Sequence, residues 1–143
     1  MRRTIRPAGA AVRHDDGMIG VSDEDAAAAA LRSAGAKFGF VHGSRAEGGS
    51  RPDSDLDVAA WWGEDAPAAF DVELPAKVDL VVLDAVPLWL AGRISLTGRL
   101  LFDDDPPARV AWQADTRRVW LDERPYLLAR QREWRRAVAA RGG

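Results

Sequence analysis

Two aspartates set the first constraint on the chemistry open to this chain. Asp55 and Asp57 lie two residues apart at the start of Asp55–Trp62, a run that reads as a strand. Side chains two apart on a strand share a face and stand roughly 6–7 Å from one another along it. Two Mg²⁺ ions about 4 Å apart can sit between and across such carboxylates. Mg²⁺ takes hard oxygen ligands and completes its shell with phosphate oxygens and water. Gly43-Ser44 stands ten residues before this pair and follows a second apolar run. A backbone without Cβ approaches a phosphate closely, and free N–H groups at a helix start attract anions. The Ser44 hydroxyl adds a donor. Together these groups suit a nucleoside triphosphate whose terminal phosphates rest on Gly43-Ser44 while metal ions hold the reacting one.

A third carboxylate is expected on a neighbouring strand, and Val78–Asp84 offers two. Asp79 and Asp84 differ in parity, so they point to opposite faces. Asp79 lies inside an apolar run, where an unpaired charge is costly and a metal cluster would account for it. Asp84 stands at the strand end, where a turn role suffices. The choice falls on Asp79.

Several elements must position these groups. Ser22 is a helix N-cap candidate, with Asp23, Glu24 and Asp25 at the positive end of the helix dipole and Gly35 as the stop. Phe38–His42 reads as a strand, Arg45–Gly49 as a short turn and Ser50–Ser54 as a loop. Along Asp55–Trp62, Leu56, Val58, Ala60 and Trp62 share one face, and Asp55, Asp57, Ala59 and Trp61 the other. Residues 63–76 form a connection. The nearly continuous apolar run Val78–Leu83 predicts a central strand. Pro87 opens a helix through Leu90 and Ile94 that Gly98 ends, and Arg99–Phe102 makes a short last strand. One or two helices follow Pro107, the last with Leu127, Trp134 and Val138 at helical spacing. The order is α/β, with strands in the middle and helices at both ends. Residues 1–20 form a basic arm, and 21–143 form one domain.

The pattern Gly43-Ser44, ten residues, Asp55-Leu56-Asp57, then Val78-Asp79-Leu80 resembles the DNA polymerase β-type nucleotidyltransferase superfamily. Within it, VHGSRAEGGSRPDSDLDVAAW is similar to the minimal nucleotidyltransferase (MNT) group. A weaker likeness continues through KVDLVVLD and LAGRISLTGRLLF. The resemblance implies a small mixed β-sheet with flanking helices. It implies transfer of a nucleoside monophosphate, with ATP as donor, to an acceptor hydroxyl and loss of pyrophosphate. Asp55 and Asp57 would bind both Mg²⁺ ions, and Asp79 the one nearest the acceptor. Gly43 and Ser44 would hold the β- and γ-phosphates, with Arg45 within reach of a phosphate. Many MNT proteins are encoded beside HEPN-type ribonuclease toxins. Characterised members act as antitoxins by adding AMP to a toxin tyrosine. One departure is His42, where an aromatic residue commonly precedes the Gly-Ser pair.

Whole-chain properties bound this picture. The 143 residues fit one modest core, and 47% are hydrophobic. A net charge of −2 gives no overall attraction to nucleic acid. The absence of cysteine excludes disulfides and thiolate metal sites, and it suits a reducing cytoplasm. With only His14 and His42, a multi-histidine zinc site is excluded. No apolar run has transmembrane length.

Plainer explanations stand beside each feature. Gly43–Ser50 nearly spells a P-loop, but Gly49 stands where the lysine belongs. Asp53, Asp55 and Asp57 would also suit a solvated acidic loop. Asp103-Asp104-Asp105, before two prolines, reads as a turn with a helix N-cap. His42 reads as a packed core residue. Most of the six tryptophans belong in the core, with one or two left for a partner surface. Residues 124–143 hold six arginines against one glutamate, a solvated helix face or a dock for an acidic partner. Two further functions compete with toxin modification: transfer to a small molecule such as an aminoglycoside, and a non-catalytic antitoxin that covers its toxin. The carboxylate set argues against the latter, and the lack of a second substrate domain against the former.

Overall fold

The structure, a computed structural model of the chain, describes residues 19–46 and 55–142. Helix α1 (Ile19–Ser33) is followed by strand β1 (Phe38–His42) and a 3₁₀ turn at Gly43–Arg45. Strands β2 (Leu56–Trp61) and β3 (Val78–Val82) follow, with a 3₁₀ turn at Ala69–Asp71 between them. Helix α2 (Leu88–Thr97), strand β4 (Arg99–Asp103) and helix α3 (Pro106–Gly142) complete the order. The four strands form one mixed sheet in the order β3-β2-β1-β4. Strand β1 pairs antiparallel with β2 and β4, and β2 pairs parallel with β3. This is the small mixed sheet with flanking helices that the sequence implies.

Helix α1 begins at Ile19, three residues before Ser22, so Ser22 is inside the helix and not its cap. Serine is tolerated in a helix interior, and a capping signal alone does not forbid an earlier start. The far end follows expectation. Gly35 adopts φ +97°, Ala36 N–H donates to Leu31 and Gly35 N–H to Arg32, the two crossed bonds of a Schellman stop. Of the expected arm at 1–20, residues 1–18 lie outside the described residues. So does the expected loop at 50–54.

The two faces of the sheet are both covered. Ala27, Ala28 and Leu31 of α1 pack on Val41, Val58, Ala60, Trp62 and Val82. On the other face, Ile94 of α2 and Trp112 of α3 pack on Phe38, Phe40, Ala59 and Leu83. Phe38 stacks on Trp61 at 5.1 Å between ring centroids and meets Phe40 edge-on at 5.9 Å. Fully burying one such side chain contributes roughly 1.5–3 kcal/mol. The face parity expected along residues 55–62 holds, with the even positions toward α1 and the odd ones toward α2 and α3.

Strand β3 is an edge strand, not a central one. Its continuous apolar run reflects cover on both faces rather than partners on both sides. Asp79 is accordingly exposed, and burial does not account for it.

Helix α2 starts after Pro87 and ends at Gly98, as expected. Trp120 of α3 lies so close over Gly92 that any side chain at 92 would overlap the indole. Ser95 is buried between the two helices; its carbonyl accepts a 2.7 Å bond from Arg117 Nε. Asp105 caps α3, with its carboxylate accepting from Ala108 N–H at 3.2 Å and Pro106 in the first helical position. Asp103 pairs with Arg109 and Asp104 with Arg32, so this acidic run is a cap and two ion pairs. Of the one or two helices expected here, a single one of 37 residues follows, with Pro125 inside it.

Candidate active site

The C-terminal end of β1 and the N-terminal ends of β2 and β3 meet at one edge of the sheet. Register brings His42 opposite Asp57 across the antiparallel pair, and Asp57 opposite Asp79 across the parallel pair. Neighbouring strands lie about 4.8 Å apart. His42, Asp57 and Asp79 therefore form a row on the face shared with α2. Leu56, 1% exposed, anchors the row: its N–H donates to Lys77 carbonyl at 2.8 Å, and its side chain enters the α1-side core. Asp57 is half-buried, and Asp79 is exposed at the sheet edge. Asp55 precedes β2 and is exposed.

Gly43 turns the chain away from β1 with φ +72°, a conformation that side chains with Cβ rarely adopt. An added Cβ there would lie 2.5 Å from Asp57 Oδ2. The glycine thus gives the Asp57 carboxylate room beside the backbone turn. Ser44 lies in the same 3₁₀ turn. Arg45 is half-buried, and its charge acts on Glu24 of α1.

His42 is held in place by a hydrogen bond to the Val58 backbone, while its Nε2 is buried without a hydrogen-bond partner. Burial lowers its pKa below the usual imidazole value. The Asp57 charge and the Val58 bond oppose this shift, and the Arg93 charge adds to it. Beside it is a cavity of about 90 Å³ lined by Gly43, Leu90, Arg93, Ile94 and Thr97. Neither Arg93 nor Thr97 is among the residues that the sequence marks as functional. Their signal is the helical spacing: positions 90, 93, 94 and 97 share one face, and Gly98 then turns α2 into β4 beside β1.

Asp84 has a different task. Its carboxylate accepts from Trp62 N–H at 3.0 Å and from Gly63 N–H at 2.7 Å, tying the end of β2 to the turn after β3. The structure therefore brings Asp79, not Asp84, to Asp57.

The oxygen donors suit a hard divalent ion, and the Gly43 cradle leaves the Asp57 carboxylate unobstructed. Among the described residues, however, no three His, Asp or Glu side chains converge on a single metal position. None of the described helices is long and apolar enough to cross a membrane.

No protein-family model matches the chain, and no curated protein matches it in sequence. Solved structures match it in fold. One is a toxin–antitoxin complex with AMP-PNP, at TM-score 0.54 and 18% identity, covering 76% of this chain and 98% of that one. Another is the MntA–HepT toxin–antitoxin, at TM-score 0.53 and 15% identity, covering 78% and 98%. A third is a tri-AMPylated Shewanella oneidensis HEPN toxin in complex with MNT antitoxin, at TM-score 0.52 and 16% identity, covering 79% and 99%. The chain shares the fold of chains in these complexes.

Proposed function

We propose that this chain is an antitoxin of the minimal nucleotidyltransferase kind that transfers AMP from ATP to a tyrosine of a HEPN-type ribonuclease toxin. The observation that carries this reading is the alignment of Asp57 with Asp79 beside the Gly43 turn, in a fold shared with toxin–antitoxin complexes. The phenol oxygen attacks the α-phosphorus, the bond to the leaving pyrophosphate breaks, and the phenol proton passes to Asp79. Asp55, Asp57 and Asp79 would hold Mg²⁺, which would supply neutralisation of the phosphate charge. Gly43 and Ser44 hold the β- and γ-phosphates through backbone N–H groups and a hydroxyl. Positioning and charge neutralisation supply most of the acceleration, without a covalent enzyme intermediate. An added AMP places a bulky anion near the toxin's active site, where it repels RNA phosphate.

A second reading, a non-catalytic antitoxin, draws on the lack of a converged metal cluster among the described residues. Incubation of the purified chain with Mg²⁺, ATP labelled on the α-phosphate, and a cognate HEPN-type ribonuclease separates the two. The account expects label on the partner's tyrosine. A tight complex that inhibits the ribonuclease without label transfer would support the second reading.

A further inference from the structure

Helix α3 outlasts its support. At 37 residues it is about 55 Å long, whereas α2, which packs against it, has ten residues and spans about 15 Å. The two run antiparallel. Ser95 meets Arg117, Gly92 meets Trp120, and near the start of α2, Trp89 faces Arg124, Leu127 and Leu128 across an open groove of about 530 Å³. Helix α2 begins at Leu88, and every residue of α3 from Arg130 to Arg141 is exposed.

The apolar stripe does not stop where α2 stops. Trp120, buried against Gly92, recurs seven residues on as Leu127 and seven further as Trp134, with Val138 one turn beyond. These positions share one helical face. Trp134 is 64% exposed and Val138 43%, so the stripe continues in line with an internal helix contact but without a partner among the described residues. Seven-residue spacing gives a narrow seam, the shape that receives another helix. Pro125 lies between the supported and unsupported halves and removes one helical hydrogen bond there.

Charge selects the occupant. At helical spacing, Arg130 and Arg141 flank one side of the stripe, and Arg124 and Arg135 the other. Residues 124–143 carry six arginines and one glutamate, so two copies joined through this face would oppose like charges along the whole seam. These flanking arginines, with Gln131 between Leu127 and Trp134 on the same face, leave a narrow seam and no broad apolar face of the kind that lies on a membrane. We propose that the α3 face from Leu127 to Val138 docks an amphipathic helix of a partner protein, apolar along its centre and acidic along both flanks. Trp134 anchors the seam, and the arginines select the partner.

The inference rests on the antitoxin reading for the partner used in its test. Binding of the intact chain to a cognate HEPN-type ribonuclease is measured by calorimetry for three forms: unaltered, Trp134→Ser with Val138→Ser, and Arg130→Glu with Arg135→Glu. These side chains are exposed, so thermal unfolding should stay unchanged. The proposal expects at least a tenfold loss of affinity in both variants, and a steeper salt dependence for the unaltered chain than for the charge variant. Full affinity in both variants would overturn the docking surface and leave the antitoxin reading standing. No binding by the unaltered chain would overturn both. A dimer of the chain alone, dissociated by Trp134→Ser in sedimentation, would assign the seam to a second copy and overturn the proposal. So would RNA or anionic-vesicle binding lost in the charge variant while the partner still binds.

Discussion

A Cβ on Gly43 would lie 2.5 Å from Oδ2 of Asp57, so the turn after β1 and the carboxylate at the start of β2 fit only as a pair. Gly43→Ala should therefore damage the site twice. The φ of +72° costs a residue with Cβ roughly 1–2 kcal/mol. The methyl must also displace the carboxylate or the turn. The expected result is a modest drop in thermal midpoint with loss of most transfer activity. Activity retained alongside a large stability loss would make the glycine a purely structural stop.

Asp79 and Asp84 should respond differently to the same change. Asp79→Asn alters an exposed carboxylate beside Asp57, so most transfer activity should go while the thermal midpoint stays fixed. Asp84→Ala removes the acceptor of two backbone N–H bonds, each to a charged group and worth about 1.5–3 kcal/mol. It should lower stability, whereas Asp84→Asn, which keeps one acceptor, should spare activity. Comparing kcat with the unfolding midpoint across the three variants decides the matter, and equal activity losses at 79 and 84 would remove Asp79 from the site.

The Glu24–Arg99 pair gives a pH prediction. Arg99 donates to both Glu24 oxygens at 3.1 and 2.8 Å, joining α1 to β4. The hydrogen bond to Arg99 lowers the Glu24 pKa from 4.5; desolvation opposes this, and the Arg99 and Arg45 charges add to it. Because the folded pKa is the lower one, the stabilisation is complete above about pH 4.5 and is lost as pH falls through the folded value. Arg99 is 47% exposed, so solvent screening limits the pair to under about 1 kcal/mol. Urea titrations of the unaltered chain and Glu24→Gln should differ at pH 7 and converge as the pH falls below the folded value. A constant difference across that range would contradict the assignment.

What was legible in the sequence follows from what side chains record. The alternation along residues 55–62 records faces, and the faces are as expected. It does not record neighbours, so the apolar run of β3 pointed to the sheet's centre when it lies at the edge. That error removed the burial argument for Asp79 but left its parity argument intact. Register, which no local pattern states, is what places Asp79 beside Asp57 and His42 on the other side. The end of α1 at Gly35 was readable because positive φ demands a special residue. Its start was not, because Ser22 serves a helix interior as well as a cap. The sequence leaves one or two helices open after Pro107, and a single helix runs through Pro125. Asp84's two backbone bonds join elements 22 residues apart, beyond the reach of local inference.

The central claim is that Asp57 serves transfer of a nucleotide to a protein partner. The most direct test is intact-mass spectrometry of a cognate HEPN-type ribonuclease after co-expression with the unaltered chain or with Asp57→Asn. Circular dichroism should show both forms folded, since Asp57 is only half-buried near the start of β2. The account predicts a gain of one or more AMP masses on the partner with the unaltered chain and no gain with Asp57→Asn. An unmodified partner in both cases, with growth rescued equally by both forms, would contradict it.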